Sequence, residues 1–407
     1  MAILGENWRI ERNGMDASLD QAPPVLPEKI EISAFDDLHT RCGKVIARVR
    51  ERMLAPLSRK VGPKLSSAQL ANLIGIDVKQ IDYRAKKGDL PAGEMSSGRR
   101  RFFSVADVRN WARVLRRKHL RPESAEAVTL CIANFKGGVS KTTTAVTLAQ
   151  GLALRGHRVL LIDADPQGSA TALFGILPEL EIEDGQTIAP LCRGDEMSIE
   201  YAIRQTYFDG VDLVPAVSDL FSAEFDLPSR QMSVKGFEFW NVLHQGIENA
   251  RLEYDVIVID TPPALSYITI NALMACDGIV MPLPPNALDF LSSSQFWGLV
   301  SSLTNQLQQH GTRKSFDFID VILAKVDPDD TATPVVRDWI KGAYADKVLG
   351  IEIPLTASAG SAAAQFGTVY DQPRRKATQA YDRFVELLED QINVAWQRQI
   401  AAVRGPK

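Results

Sequence analysis

The stretch Val128–Gly156, VTLCIANFKGGVSKTTTAVTLAQGLALRG, limits the possible folds more than any other part of the chain. An apolar run of strand type enters a loop with two glycines, and a segment of helical period follows at once. That order is the context a phosphate-binding loop requires. Gly137 and Gly138 let backbone N–H groups turn toward an anion, and the helix start adds its positive end. Lys141 would lie on the β and γ oxygens of a nucleotide, and the Thr142 hydroxyl would ligate Mg²⁺ as a hard oxygen donor. Val139, Ser140 and Thr143 complete the loop. The ordinary pattern G-x-x-x-x-G-K-[ST] needs glycine at positions 135 and 140, where this chain has Phe135 and Ser140. A second lysine, Lys136, stands five residues before Lys141.

Such a unit needs a sheet to belong to, and the chain from Thr129 supplies one. Apolar runs alternate with helical periods: VTLCIANF, RVLLIDAD, VDLVPA, YDVIVIDTP, GIVMPLP, DFIDVILAKV and VLGIEIP. Near-continuous apolar runs of this kind predict an α/β fold, a mainly parallel doubly wound sheet covered on both faces. Two of the runs end in carboxylates. Asp163 and Asp165, two apart, point the same way along one strand end. Asp260 follows four apolar residues at another, the Walker-B pattern, and would hold Mg²⁺ directly or through water. Strand C-termini open onto the ligand crevice of such folds, so these carboxylates and the loop are expected together.

With 407 residues there is room for two or three domains. Residues 1–34, with Pro23, Pro24 and Pro27, read as an unstructured tail. Residues 35–60 carry an apolar stripe at helical spacing, Phe35, Leu38, Cys42, Val45, Val49, Met53 and Leu57. The stripe suits either packing on its own domain or a short dimer seam. Residues 61–118 read as a small α-helical module: a serine-capped helix closed by Gly75, a second helix from Asp77 to Gly88, a basic strand, and a helix capped by Ser104. Residues 119–128 form a polar linker, and residues 129–400 the nucleotide domain. Net charge is only −4, yet nine Lys/Arg stand against one acidic residue, Asp107, between Arg99 and Arg121. Four scattered cysteines indicate neither a disulfide framework nor a zinc site. No apolar run approaches a membrane span and no signal-peptide core is visible, so a cytoplasmic protein is expected.

The order of elements in residues 61–118 resembles the winged helix-turn-helix of MerR-like domains. That resemblance implies Lys79, Gln80, Tyr83 and Arg84 facing the major groove of double-stranded DNA, with Arg99, Arg100 and Arg101 forming a wing on phosphates. The later motifs KGGVSKTT, VLLIDADPQGSAT and YDVIVIDTPPALSYITINALMACDGIVMPLPPNALDF resemble the ParA/MinD superfamily of deviant-Walker ATPases, specifically large plasmid-type ParA proteins. The resemblance runs from Thr129 to about Leu388. It implies that Lys136 reaches across a homodimer to the ATP phosphates of the other subunit, supplying in trans the charge of an arginine finger. It further implies that Asp165 positions the attacking water, that Asp163 supports Mg²⁺ through water, and that Pro354 lines the adenine pocket. A ParB-type partner, nonspecific DNA binding by the ATP dimer, association with the nucleoid and repression of its own operon are implied as well. The loop IPLTASAGSAAAQ is neutral where many relatives carry basic residues that touch DNA. Lys341, Lys347, Arg374, Arg375 and Lys376 are the substitutes the sequence offers.

Three competing classes share parts of this pattern. A MinD-like membrane ATPase needs a C-terminal amphipathic membrane helix, whereas the helix with Phe384, Leu387, Leu388 and Ile392 is expected to pack on the domain. A nitrogenase-reductase-like electron donor needs cluster-binding cysteines, and Cys276 has no suitable second. A nucleotide-sensing repressor without a transport role differs only in not needing Asp165 for turnover.

Overall fold

In a computed structural model of the chain, the residues described are 30–54, 60–96, 100–309, 311, 313–355, 367–371 and 376–404. Contacts divide the chain into two compact units, residues 1–52 and 53–407. In the first, the amphipathic pattern becomes helix α1, Ala34–Leu54. The described part of its stripe is open to solvent, with Phe35 63%, Leu38 53% and Val45 57% exposed. The Met53 side chain and Leu57 lie outside the described residues.

The second unit opens with the helical module. Strand β1 (Leu65–Ser66) precedes α2 (Ser67–Ile74), and Ser66 and Gln69 form a reciprocal capping box at the helix start. Gly75, at φ 72°, closes α2 in the left-handed conformation, and Asp77 caps α3 (Val78–Lys87) by accepting from the Lys79 amide. Strands β2 (Glu94–Met95) and β3 (Arg101–Phe103) join β1 in an antiparallel sheet of order β1-β3-β2. Helix α4 (Val105–Leu115) follows, capped by Ser104 and Asp107. Trp111 is fully buried edge-on to Phe103 at 5.9 Å, and its indole N–H donates to the Pro91 carbonyl.

All seven apolar runs of the nucleotide domain become strands. In chain order the elements are β4 (Val128–Ile132), α5 (Lys141–Leu154), β5 (Val159–Asp163), β6 (Arg204–Gln205), β7 (Val211–Val214), β8 (Val256–Asp260), α6 (Tyr267–Ala275), β9 (Gly278–Leu283), α7 (Ala287–Gln309), β10 (Phe318–Val326), α8 (Thr333–Tyr344), β11 (Val348–Pro354) and α9 (Lys376–Arg404). The eight strands lie in the order β11-β10-β9-β4-β8-β5-β7-β6. Every pairing is parallel except the edge pair β6/β7. After β4 the chain moves to β5 on one side, and after β8 it crosses to β9 on the other. β4 is therefore the switch point, and the crevice at its C-terminal end is where such sheets bind ligands.

Burial follows strand parity. Val128, Leu130 and Ile132 join one core with α5, α9 and the helical module, while Ala127, Cys131 and Ala133 join the core of the opposite face with α6 and α7. Every residue of β4, β5, β8 and β9 is buried, which is why these strands read as unbroken apolar runs. Helix α5 is buried on all sides, from Thr144 to Leu154. Its Gly151 is required by close packing, since a Cβ there would come within 2.5 Å of Val385 on α9. The C-terminal helix thus spends its apolar face on α5, and no described helix is long and apolar enough to cross a membrane.

Candidate nucleotide site and DNA-facing surface

The parallel register assembles the site. Ile132 at the end of β4 lies opposite Asp260 of β8, and Asp260 lies opposite Asp163 of β5. The two strand-end carboxylates are thereby neighbours beside the loop that leaves β4. Asn134 fixes the exit of that loop, donating to the Pro282 carbonyl at 2.9 Å and accepting from the Lys136 amide at 3.0 Å. Gly138 and Ser140 both take positive φ, 76° and 77°. Ser140 therefore adopts the conformation that suits the glycine it replaces, a strained position of the type common at functional sites. Its side chain makes no capping hydrogen bond, which leaves the first-turn amides of α5 facing the loop.

Lys141 is buried and folds back, its ammonium donating to the Lys136 carbonyl at 3.1 Å. Burial lowers its pKa, against the opposing pull of Asp260 and Asp165. Asp163 is spent on its own loop: it accepts from the Thr171 amide and hydroxyl at 2.8 and 2.7 Å and from the Asp165 amide at 3.3 Å. Burial pushes its carboxyl up to about 7 despite those bonds. Asp165 is likewise buried and accepts from the Gln167 amide at 3.0 Å, closing a tight turn.

Asp260 differs. Both of its carboxylate oxygens are buried and accept no hydrogen bond of ordinary geometry from the described residues. Burial and the adjacent Asp163 drive its pKa well up, while the Thr142 hydroxyl and Lys141 draw it down. A buried carboxylate with only the Thr142 hydroxyl and the Lys141 charge beside it is costly unless a further cation balances it. The pairing of Asp260 with Thr142 is a hard-oxygen donor set that fits Mg²⁺. No cluster of three or more His, Cys, Asp or Glu suited to a metal occurs among the described residues. A cation here would therefore complete its shell with phosphate oxygens and water, as Mg²⁺ commonly does.

Two contributors escaped the sequence reading. Lys136 forms an ion pair at 2.6 Å with Asp289, a buried residue in the first turn of α7. Lys325 sits at a register irregularity of β10 with φ 52°, and its ammonium donates to the Gly138 carbonyl at 2.5 Å. These residues line a cleft of about 350 Å³ with Gly137, Asn286 and Asp327. Lys325 was invisible because a strand pattern does not announce a bulge. Asp289 was readable only as part of PNALDF, with nothing to mark its partner. Pro354 ends β11 opposite Val326, and the adjacent Leu355 lines the same cleft. The segment 356–366, holding most of the neutral loop, lies outside the described residues.

In the helical module Ile81 and Ala85 bury one face of α3, while Lys79, Gln80 and Tyr83 are exposed on the other and Arg84 is half-buried beside Asp89. Arg99 lies outside the described residues, and Arg100 is exposed. Arg101 departs from the expectation of a wing contact. Its guanidinium turns inward to the Ala92 carbonyl and Asp82, and its side chain is 14% exposed. The dense run of basic residues also divides. Arg109, Arg116 and Arg121 are largely buried in bonds to the nucleotide domain, which removes them from any outward-facing basic patch, and Arg113 is bonded there too while staying half exposed. Lys341 and Lys347 are exposed, whereas Arg374, Arg375 and the Lys376 side chain lie outside the described residues.

Comparison with known proteins extends this picture. The model of a family described as an AAA domain matches residues 127–312. A protein named replication protein A from Rhizobium rhizogenes is 30% identical over 367 residues, which are 85% of this chain and 91% of the relative. The chromosome partitioning protein ParA of Caulobacter vibrioides is 31% identical over 225 residues, 55% of this chain and 79% of the relative. A crystal structure of cobyrinic acid a,c-diamide synthase from Mycobacterium smegmatis, with bound ATP analog and magnesium, is 27% identical with a TM-score of 0.53. That match covers 64% of this chain and 94% of the other. A solved structure described as a partition protein reaches a TM-score of 0.62 at 19% identity, covering 89% of this chain and 98% of its own, a likeness of fold.

Proposed function

Because the chain belongs to the ParA/MinD superfamily of P-loop partition ATPases, we propose that it drives DNA segregation as an ATP-dependent homodimer. ATP and Mg²⁺ are its cofactors. The observation that carries this reading is Asp260, whose two buried oxygens accept no hydrogen bond of ordinary geometry from the described residues, next to the Thr142 hydroxyl and a loop with two lysines. The cobyrinic acid a,c-diamide synthase relative, described with ATP analog and magnesium, supports the same assignment.

Lys141 and the first-turn amides of α5 receive the β and γ phosphates, with Gly137, Gly138, Val139, Ser140 and Thr143 shaping the loop. Thr142 and Asp260 would hold Mg²⁺, and Asp163 would support it through water while tying down its own loop. When bound, the ion would supply neutralisation of charge on the phosphates during phosphoryl transfer to water. Asp165 orients the attacking water, and Pro354 lines the adenine pocket. Lys136 leaves Asp289 and engages the nucleotide of the partner, so hydrolysis awaits dimerisation. The exposed stripe of α1 supports a second dimer contact. A ParB-type protein on the cargo stimulates turnover and release from nucleoid DNA, and α3 with Arg100 reads an operator.

The test is binding of the full chain to random-sequence duplex DNA with Mg-ATP, with Mg-ADP and with neither. Binding only with ATP is expected. A second reading, a nucleotide-sensing repressor, is favoured by one observation: the helical module shares a continuous core with the nucleotide domain. It predicts no random-DNA binding in any state, with retention of a duplex from upstream of the protein's own gene.

A further inference from the structure

Helix α4 carries three arginines on one face, Arg109, Arg113 and Arg116, at the i, i+4, i+7 spacing that aligns side chains along a helix. Arg116 stands at the C-cap. Each donates to one of three consecutive carbonyls in the turn between α5 and β5. Arg116 reaches Arg155 at 2.9 Å, Arg113 reaches Gly156 at 2.8 Å, and Arg109 reaches His157 at 3.4 Å. The turn is shaped for this approach. Gly156 has φ 103°, and a Cβ there would meet the Arg113 backbone at 3.2 Å. At the start of β7 a Cβ on Gly210 would overlap the Arg109 guanidinium, which also pairs with Asp209 at 2.6 Å.

The turn so gripped has particular neighbours. On one side it ends α5, whose first residue is Lys141 of the phosphate loop. On the other it begins β5, whose last residue is Asp163. At the far end of α4, Ser104 follows directly on wing strand β3. One continuous rigid path therefore runs from the wing through α4 and the turn to both sides of the phosphate site. Because α5 is buried all round in a close-packed core, its ends cannot move independently.

We propose that the arginine ladder couples the two sites, so that nucleotide state sets the DNA affinity of the helical module and DNA on the module alters nucleotide affinity. Arg109, Arg113 and Arg116 are positioning residues in this arrangement and touch neither ligand. The inference rests on the reading of the module as DNA-binding and of the loop as a nucleotide site. Linkage makes it reciprocal: the factor by which nucleotide changes DNA affinity equals the factor by which DNA changes nucleotide affinity.

The test uses the full chain carrying Arg109→Gln together with Arg113→Gln. Arg116 is kept, because its loss would take away the shortest of the three ion pairs that hold the buried carboxylate of Glu389. Arg117→Gln with Lys118→Gln is the control, removing the same charge from exposed positions in the short 3-10 turn that follows the helix. Affinity for a duplex from upstream of the protein's own gene is measured with Mg-ADP and with Mg and a non-hydrolysable ATP analogue, over random-sequence competitor. Nucleotide affinity is measured with and without the duplex. For the wild type the two ratios should agree, within the roughly 5–150-fold range usual for coupled sites. In the ladder variant both should fall to within about twofold of one, while nucleotide still binds and the control keeps its ratio. Restoring a donor with Arg113→Lys in place of Arg113→Gln should recover part of the ratio. A ladder variant with the wild-type ratio, or a wild type that binds both ligands with a ratio of one, overturns the proposal. A wild type that binds nucleotide but no DNA overturns instead the DNA-binding reading beneath it.

Discussion

Lys136 and Asp289 show how one side chain can hold a site in reserve. The lysine proposed to act in trans is held in cis, 2.6 Å from a carboxylate in its own chain, with about a third of its side chain exposed. A half-exposed pair of this kind is worth about 0.5–1 kcal/mol, small beside a dimer interface but directed against the step that needs the lysine free. Two such pairs open per dimer, so Asp289→Asn should tighten the ATP-dependent dimer about five- to thirtyfold, as read by sedimentation equilibrium with a non-hydrolysable ATP analogue. Unchanged dimer affinity would show that the pair opposes nothing. At this scale the sequence was most informative where chemistry is local. Lys141, Thr142, Asp163 and Asp260 were legible because glycine loops and strand-end carboxylates are patterns of neighbours. Asp289 and Lys325 were not, since their roles depend on contacts across 153 and 187 positions of chain.

Elements were legible in proportion to how completely they are buried. The inner strands of the sheet could be read because parallel strands covered on both faces must be apolar throughout, while β11, only partly buried at the edge, was read from the short apolar run VLGIEIP. The two-residue strands β1 and β6 carry no pattern to read. The basic run of α4 misled for a different reason: sequence gives the charge of a side chain but not its direction. Its 109, 113, 116 spacing was the available sign of a shared face. Helix α5 makes a prediction of its own. Alanine favours a helix interior over glycine by about 1 kcal/mol. At Gly151 the added methyl would press on Val385 at 2.5 Å and on the Tyr370 hydroxyl at 2.8 Å. Overpacking of a dense core typically costs about 1–3 kcal/mol, so after the helix gain Gly151→Ala should destabilise by up to about 2 kcal/mol in urea titration. A more stable variant would mean that α5 and α9 can separate freely.

Across the whole molecule, one buried carboxylate ties together segments far apart in sequence. Glu389 of α9 is 2% exposed in its side chain and bonds Arg116 at 2.6 Å, Arg155 at 3.1 Å and His157 at 2.8 Å. Burial alone would raise its pKa, but the bonds from His157 and Arg116 outweigh it and hold the carboxyl well below the usual range. Such a group contributes its full stabilisation above the unfolded carboxyl pKa of about 4.3 and loses it as pH falls toward the folded value. Glu389→Ala should cost about 3–5 kcal/mol at neutral pH, because it strands buried cations. The deficit measured by urea titration should shrink as the pH is lowered below about 4. A deficit that does not change with pH would assign the loss to packing alone.

The position of α9 has a consequence for how the protein is made. Helix α5 has no polar side, yet the element that covers it emerges from the ribosome roughly 220 residues later, on the order of 10–40 s at ordinary translation rates. For that interval Leu148, Leu152 and Val146 lack their partners on Phe384, Val385 and Leu388. The nascent chain must be shielded or must tolerate its own stickiness. Nucleotide binding, which depends on a settled α5, is thus withheld until α9 has been made.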